Sequence, residues 1–448
     1  MMDGMKDSGI RWIGTIPENW NTKRIKYVAN LKGRIGWQGL TSEEYQDEGA
    51  FLITGVDFLD GGIDWENCVH VPMKRWEEAK DIQIEEGDLL ITKDGTVGKV
   101  AIVKDMPGET SLNSGVLRIM PIEGYSRRFL YWVIQSEEFW NWFNYKNAGN
   151  STIIHLYQGD FAEFLYAFPD YAEQEAIADY LDKHCAKLDS IISDLEQQIE
   201  TLQKYKKSLI TEAVTKGLDK SAPMKDSGIE WIGKIPEHWT LKRLKYMLED
   251  CKDNLKVGPF GSALATDEYT EEGYWVYTQR TVLDKNFESN ETFIDDKKFK
   301  ELSGFKVRGG DVLITTRGTI GKVAIVPNKC VEGVLHPCLI RFRVNTGFIS
   351  RELLELIFNE SDFVIKQFTY MSNATTIEVI YSYSLKDIIL PVIPLEEQKE
   401  ITQFLKKKCE AIDSILRIKN SQLNNMRAHT KSLVFEYVTG KKRVKEAM

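Results

Sequence analysis

The chain has 448 residues, 42% hydrophobic and 28% charged, with a formal net charge of −9. That composition is ordinary for a folded chain in water; no apolar run is long enough to span a membrane, and no basic segment followed by an apolar one marks a secretory signal. Six scattered cysteines without a CxxC pair favour a reduced, cytosolic protein, and the acidic balance argues against a broad basic grip on nucleic acid by this chain alone.

The chain opens on an arm, MKDSGIRWIGTIPENWNTKRIKYV (5–28), which returns as MKDSGIEWIGKIPEHWTLKRLKYM (224–247) with 17 of 24 positions identical. Its Gly, Pro and Trp residues predict an ordered, non-helical lead-in, with Trp12, Trp20, Trp231 and Trp239 packing the arm on its own domain. The basic clusters Lys23-Arg24-x-Lys26 and Lys242-Arg243-x-Lys245 recur in both arms, as a solvated face or as phosphate contacts.

A globular region follows in each half, with short β-rich runs: FLITGVDF (51–58), DLLIT (88–92), KVAIV (99–103) and VLRIM (116–120), then YWVYT (274–278), DVLIT (311–315), KVAIV (322–326) and LIRFRV (339–344). Helical stretches are predicted over 127–143 and 351–368. Strands and helices do not alternate as in a doubly wound sheet. The segments 29–84 and 248–307 show no recognisable similarity to each other, as expected if one scaffold carries two readers of different targets.

Each half ends on a long helix. Asp170 and Glu173 fit a capping box, and Leu181, Leu188, Leu195, Leu202 and Leu209 recur every seven residues, with Cys185, Ile192 and Ile199 between them. Lys206 interrupts this seam, and Gly217 is the expected stop. The second helix enters at Pro394 and carries Leu405, Ile412, Met426 and Leu433, with Cys409, Leu416 and Leu423 between them. Strict heptads favour helix on helix over two helices that merely cover their own domains. The expected fold is mixed α/β (α+β): two pseudo-symmetric globular domains, 1–165 and 219–390, joined by two long antiparallel coiled-coil helices within 166–218 and 391–448.

Catalytic patterns fail. The loop TKDGTVGK (92–99) and its copy TTRGTIGK (315–322) lack the first P-loop glycine, replaced by Lys93 and Thr316, and no Ser or Thr follows the lysine. They are a tight turn between strands, a loop touching DNA, or both; Lys93, Thr96, Lys99, Thr316, Arg317, Thr319 and Lys322 are the candidate contacts. Neither GDLLITKDG nor GDVLITTRG carries the acid-x-Lys pair of a nuclease core, and no Gly-rich cofactor loop with an Asn-Pro-Pro-aromatic tetrapeptide supports a methyltransferase. His155 corresponds to Val379 in the other half, so no shared catalytic histidine is expected, and no metal site is expected. The polar stretches AGNSTIIH (148–155) and SNATTIEV (372–379) correspond; Asn150, Ser151, Thr152, Asn373, Thr375 and Thr376 are caps or base-edge contacts. Residues peculiar to one half are the candidates for discrimination: Arg34, Trp37 and Gln38 in the first, Ser262, Gln279 and Arg280 in the second. Arg to guanine and Gln to adenine are favoured major-groove pairings.

The arms SGIxWIGxIPExW, the loops GDxLITxxGTxGKVAIV and the helices that begin with Glu-Gln, duplicated in this order, with the GPFGS segment (258–262) of the second half, resemble the specificity (S) subunit of type I restriction–modification systems over essentially the whole chain. The resemblance implies that each globular region is a target recognition domain for half of a bipartite, asymmetric DNA site. It implies that the helices fix the spacer and dock two methyltransferase (M) subunits, with motor–nuclease (R) subunits joining them. The chain itself would hold no cofactor, S-adenosylmethionine, ATP and Mg belonging to the partners. The alternatives are a stand-alone DNA-binding regulator or an interaction scaffold.

Overall fold

The computed structural model describes residues 4–34, 40–147, 155–372 and 379–444. The chain forms two compact units: Met1–Glu196 with Ser421–Met448, and Gln197–Asn420. The two long helices, Tyr171–Lys216 and Leu395–Val438, each contribute to both. Among the described residues no helix is long and apolar enough to cross a membrane.

In the first unit the arm is a hairpin, Met5–Asp7 against Thr15–Pro17. Strand Asn21–Arg24 then pairs with Leu165–Phe168, which closes the globular region just before the long helix begins. Between them an antiparallel four-stranded sheet places Val100–Ile102, Leu89–Thr92, Val116–Pro121 and Ala29–Gly33 side by side. A second sheet has Ala50–Ile53 at its centre, antiparallel to Val69–Val71 and parallel to Thr110–Leu112.

The second unit repeats this design strand for strand. Its four-stranded sheet runs Val323–Ile325, Val312–Thr315, Leu339–Phe342 and Leu255–Val257. Its second sheet centres on Tyr274–Tyr277, antiparallel to Phe293–Ile294 and parallel to Gly333–Leu335. The register agrees as well: Phe51 faces Thr110 as Trp275 faces Gly333. The segments that look unrelated in sequence therefore share a topology.

Three expected elements are broken. The run 51–58 is a strand only to Ile53; the chain turns through Thr54–Asp57 and resumes as Phe58–Leu59. The helices expected over 127–143 and 351–368 each split in two, Arg127–Gln135 and Glu137–Lys146, then Arg351–Glu360 and Asp362–Ser372. Ser136 lies at the first break in extended conformation, and its Oγ accepts the Glu138 amide at 3.2 Å. A short hydroxyl side chain offers the backbone that alternative to the helix ladder.

The long helices pack on each other within each unit, and the heptad positions form the seam. In the first unit Leu181 and Cys185 are buried with Leu433, Val434 and Tyr437, and Tyr180 stacks on Tyr437 with centroids 4.4 Å apart. Leu195 and Leu423 are buried there too, and Leu188 is half-buried. In the second unit Ile210 and Val214 share a core with Ile401, Leu405 and Cys409; Ile412 is buried, and Leu202, Leu209 and Leu416 are half-buried. Lys206 stays in the seam because its Nζ sits 2.8 Å from Asp413 Oδ1 and 3.7 Å from Glu360 Oε2. Burial alone would lower its pKa, but the hydrogen bond to Asp413 and the two negative charges raise it.

The ends of these helices are fastened by the repeated residues. Asp170 Oδ1 accepts the Glu173 amide at 3.0 Å, an N-cap. Buried Gln174 accepts the Ser126 amide and donates to Pro169 O, at 2.8 and 3.0 Å. Its counterpart Gln398 accepts the Ser350 amide and donates to Phe348 O and Ile393 O, all at 2.8 Å. The helices stop at Gly217 (φ 72°) and Gly440 (φ 69°), which lie against Trp239 and against Pro17 and Trp20; a Cβ on Gly440 would come within 2.5 Å of the proline ring. The arm tryptophans Trp20 and Trp239 are fully buried, so each packs on more than its own domain: it also covers the end of the helix that belongs to the other repeat.

Two outcomes follow. Gln398→Leu removes one acceptor and two donor contacts from a buried joint, a loss of about 1–3 kcal/mol. Hydrogen exchange should speed up at 348–350 and 393–400 while the Gln174 joint is unchanged. Glu138 is fully buried, and its carboxylate oxygens lack well-formed hydrogen-bond partners among the described residues. Burial drives its pKa well up, only partly opposed by the Ala167 amide. A raised carboxyl pKa stabilises the folded state below the unfolded value and loses that contribution as pH rises through the folded one. Glu138→Gln should therefore flatten the fall in melting temperature of the first unit as pH rises above the ordinary carboxyl range.

Candidate nucleic-acid interface

At one edge of each unit three turns meet. The first is the GTxGK turn, which joins Leu89–Thr92 to Val100–Ile102 and Val312–Thr315 to Val323–Ile325. Its glycines explain the motif: Gly95, Gly98, Gly318 and Gly321 all have positive φ, between 65° and 83°. The turn is closed by matching bonds, Thr92 N–H to Lys99 O and Thr315 N–H to Lys322 O, both 2.9 Å. It is tied to the segment beyond it by Leu156 N–H to Lys93 O and Ile380 N–H to Thr316 O, again both 2.9 Å.

The second turn lies beside it. Lys93 N–H donates to Gly115 O at 2.7 Å and Thr316 N–H to Cys338 O at 3.0 Å, which brings in residues 113–115 and 336–338. The third is the corner that leaves the central strand of the second sheet, Thr54–Asp57 in one unit and Thr278–Thr281 in the other. Asp57 Oδ2 accepts from the Thr54 amide (2.6 Å) and hydroxyl (2.9 Å). Thr281 Oγ1 accepts the Thr278 amide at 3.2 Å. Asp57 and Thr281 are buried, Gly55 and Gln279 are half-buried, and Val56 and Arg280 are exposed. The corner is bonded to the GTxGK turn at equivalent points: Thr96 Oγ1 donates to Gly55 O at 3.1 Å, and Gln279 Nε2 to Thr319 O at 3.3 Å.

The candidates divide on this frame. Thr96, Arg317 and Thr319 are exposed at the GTxGK turn. Lys99 is exposed, with Nζ 3.4 Å from Phe58 O. Lys93 is half-buried, and burial lowers its pKa. Thr316 is buried and donates to Cys338 O at 2.9 Å, and the Lys322 ammonium donates to Asn359 O at 2.5 Å. Arg34 is 6% exposed; its Nε donates to Leu112 O at 2.7 Å, and burial, with the Arg75 charge second, lowers its pKa to about 10. Gln279 and Arg280 lie on the corner, and Arg280 pairs with Asp284 (3.4 Å) and Glu291 (3.0 Å). Ser262 is exposed on the turn Gly261–Ala263, close after Gly258, whose amide donates to Leu339 O at 2.9 Å. Trp37, Gln38, Asn150, Ser151, Thr152, Asn373, Thr375 and Thr376 lie outside the described residues.

Two of the three cations in each arm cluster are ion-paired. Arg24 and Lys26 both pair with Glu163, while Arg243 and Lys245 both pair with Asp387, at 3.3 and 3.0 Å in the second unit. Those bonds, the Lys245 hydrogen bond first, hold the Asp387 carboxyl below its usual range. His155 Nδ1 lies 2.5 Å from Asp94 Oδ1, whereas its counterpart Val379 only bridges the Arg317 backbone. The aspartates of the repeated Gly-Asp pair, Asp88 and Asp311, are buried ion-pair partners: Asp88 with Arg118 at 2.6 Å, Asp311 with Arg343 at 2.5 Å. Among the described residues no cluster of His, Cys, Asp and Glu could hold a metal ion.

Val56, the outward residue of the first corner, escaped the reading of the sequence because it lies inside an apolar run. Its signal was the Thr-x-x-Asp that follows the strand, matched by Thr-x-x-Thr at 278–281.

Comparison with known proteins agrees with this architecture. The putative type I restriction enzyme MjaX specificity subunit of Methanocaldococcus jannaschii is 27% identical over 97% of this chain and 96% of its own length. The type I restriction enzyme EcoKI specificity subunit of Escherichia coli is 22% identical over 95% of this chain and 90% of its own. A solved chain, described under the complex assembly and conformational transition of the type I R-M system, has the same fold: TM-score 0.69 at 14% identity, over 95% of this chain and 99% of that one. The model of the type I restriction modification DNA specificity domain matches residues 17–201 and 255–425, most of the chain. The protein belongs to that family, as a specificity subunit and not as an enzyme in its own right.

Proposed function

We propose that each unit reads one half of a bipartite, asymmetric DNA site, and that the paired helices fix the distance between the halves and dock methyltransferase subunits. The observation that carries this reading is the repetition of one strand scaffold with unlike residues on its exposed turns. A single target read twice would need the same residues on both copies. Here Gly55-Val56 stands where Gln279-Arg280 stands, and the flanking segments differ as freely.

Charge supports the need for partners. The chain is acidic, and two of the three cations in each arm cluster are paired within the unit. Phosphate binding by a single chain depends on unpaired Lys and Arg. Methyltransferase subunits would add the missing contacts and bring S-adenosylmethionine; motor–nuclease subunits would bring ATP and Mg. Helix length supports the ruler. The 46-residue helix extends about 69 Å at 1.5 Å per residue. One added base pair moves a half-site by about 3.4 Å and turns it by about 34°, which a stiff helix pair does not follow.

The test is methyladenine mapping in a host that expresses this chain with its methyltransferase subunit. One split, non-palindromic motif should be modified, and removal of this chain should abolish it. An unchanged methylation pattern on removal would refute the reading. Tight, sequence-specific DNA binding by the chain alone would instead mark a stand-alone regulator. Inserting four residues after Gln197 should change the permitted spacer or end modification, with both half-sites unaltered in sequence wherever modification survives.

A further inference from the structure

We infer that Val56 and Arg280 are equivalent base-discriminating residues, Val56 seating a thymine methyl group and Arg280 a guanine. This rests on the reading that both units bind DNA.

Their equivalence is structural. Each follows the central strand of the second sheet, Ala50–Ile53 or Tyr274–Tyr277. Each is the third residue of a corner that begins with threonine and is anchored by a buried polar side chain, Asp57 or Thr281. In each, the preceding residue bonds to the threonine of the GTxGK turn. Across the strand end, Asn113 N–H donates to Ile53 O at 2.9 Å and His336 N–H to Tyr277 O at 3.0 Å. The same frame therefore presents the same position twice, with different chemistry.

Both side chains face solvent. Val56 is 81% exposed, and the Arg280 side chain is 73% exposed. Neither fills a core, so packing does not explain either choice. A valine at the tip of a polar corner gains nothing from water. Against DNA its methyl groups have one apolar partner in the major groove, the C5-methyl of thymine.

Arg280 is flanked by Asp284 and Glu291. Those carboxylates repel a phosphate and so disfavour a backbone contact. They do not repel the uncharged O6 and N7 acceptors of guanine, to which arginine is the commonest specific partner. Exposed ion pairs of this kind contribute little, so the guanidinium can exchange them for a base edge at small cost. The two carboxylates also hold it at the corner beforehand, which limits the side-chain freedom lost on binding.

The experiment uses the full chain with its methyltransferase subunits and a pool of duplexes randomised in both half-sites. Bound duplexes are sequenced for wild type, Val56→Ser, Arg280→Ala and Arg280→Lys, with melting temperature as the control for folding. Wild type should select a split motif. Arg280→Ala should relax one guanine in one half-site by about tenfold or more, and Arg280→Lys by less. Val56→Ser should relax one thymine in the other half-site. The opposite half-site and the spacer should stay as in wild type. Variant selections identical to the wild type's would overturn the inference while leaving the DNA-reading function intact. So would uniform weakening across the pool with no relaxed position, the signature of a phosphate contact. If the wild-type complex selects no split motif, the underlying reading fails as well.

Discussion

The structure depends on how the long helices end. Each begins in a joint made by a buried glutamine, Gln174 or Gln398, and terminates at a glycine pressed against an arm tryptophan. The tryptophan belongs to the repeat that did not build that helix: Gly217 meets Trp239, and Gly440 meets Trp20. Each unit is thus completed by chain from the other repeat. Without the helix ends, the first core would lose Leu433, Val434, Tyr437 and Val438, and the second would lose Ile210, Ala213 and Val214. Apolar burial is the main favourable term in folding, so these contributions are structural parts of both cores and not ornaments on finished domains.

Charge is distributed by the same logic. Buried aspartates Asp88 and Asp311 hold strand arginines, while Glu163 and Asp387 hold the arm cations. Asp88 and Glu163 hold their cations within the first unit, Asp311 and Asp387 within the second. At the strand-end turns Thr96 and Lys99 are exposed in one unit, Arg317 and Thr319 in the other.

Much of this was legible in the chain. The duplication gave the number of units, the heptads gave the helix seam, and the Asp170 cap and Gly217 stop bounded the first long helix at Tyr171 and Lys216. Other features were not local. The apolar pattern runs on through Ser136, so the helix break came from one hydroxyl competing for an amide. The shared topology of 29–84 and 248–307 rests on pairing with strands some 60 residues away, which no local pattern encodes. Arg34 reads as an exposed cation, yet its neighbours Ser111 and Leu112 enclose it. Val56 reads as part of a strand and stands in solvent.

The corner at Thr54–Asp57 and Thr278–Thr281 separates two kinds of change. Its first and last residues are locked by internal hydrogen bonds, and its third residues, Val56 and Arg280, carry exposed side chains on which no core depends. Replacing Val56 or Arg280 opens no cavity and strands no buried polar group, so it escapes the mechanisms that make most mutations costly. Drift at those two places is uncoupled from the stability threshold that constrains the rest of the chain. The fold can therefore sample new preferences by single steps, in one unit at a time, while the other keeps its own.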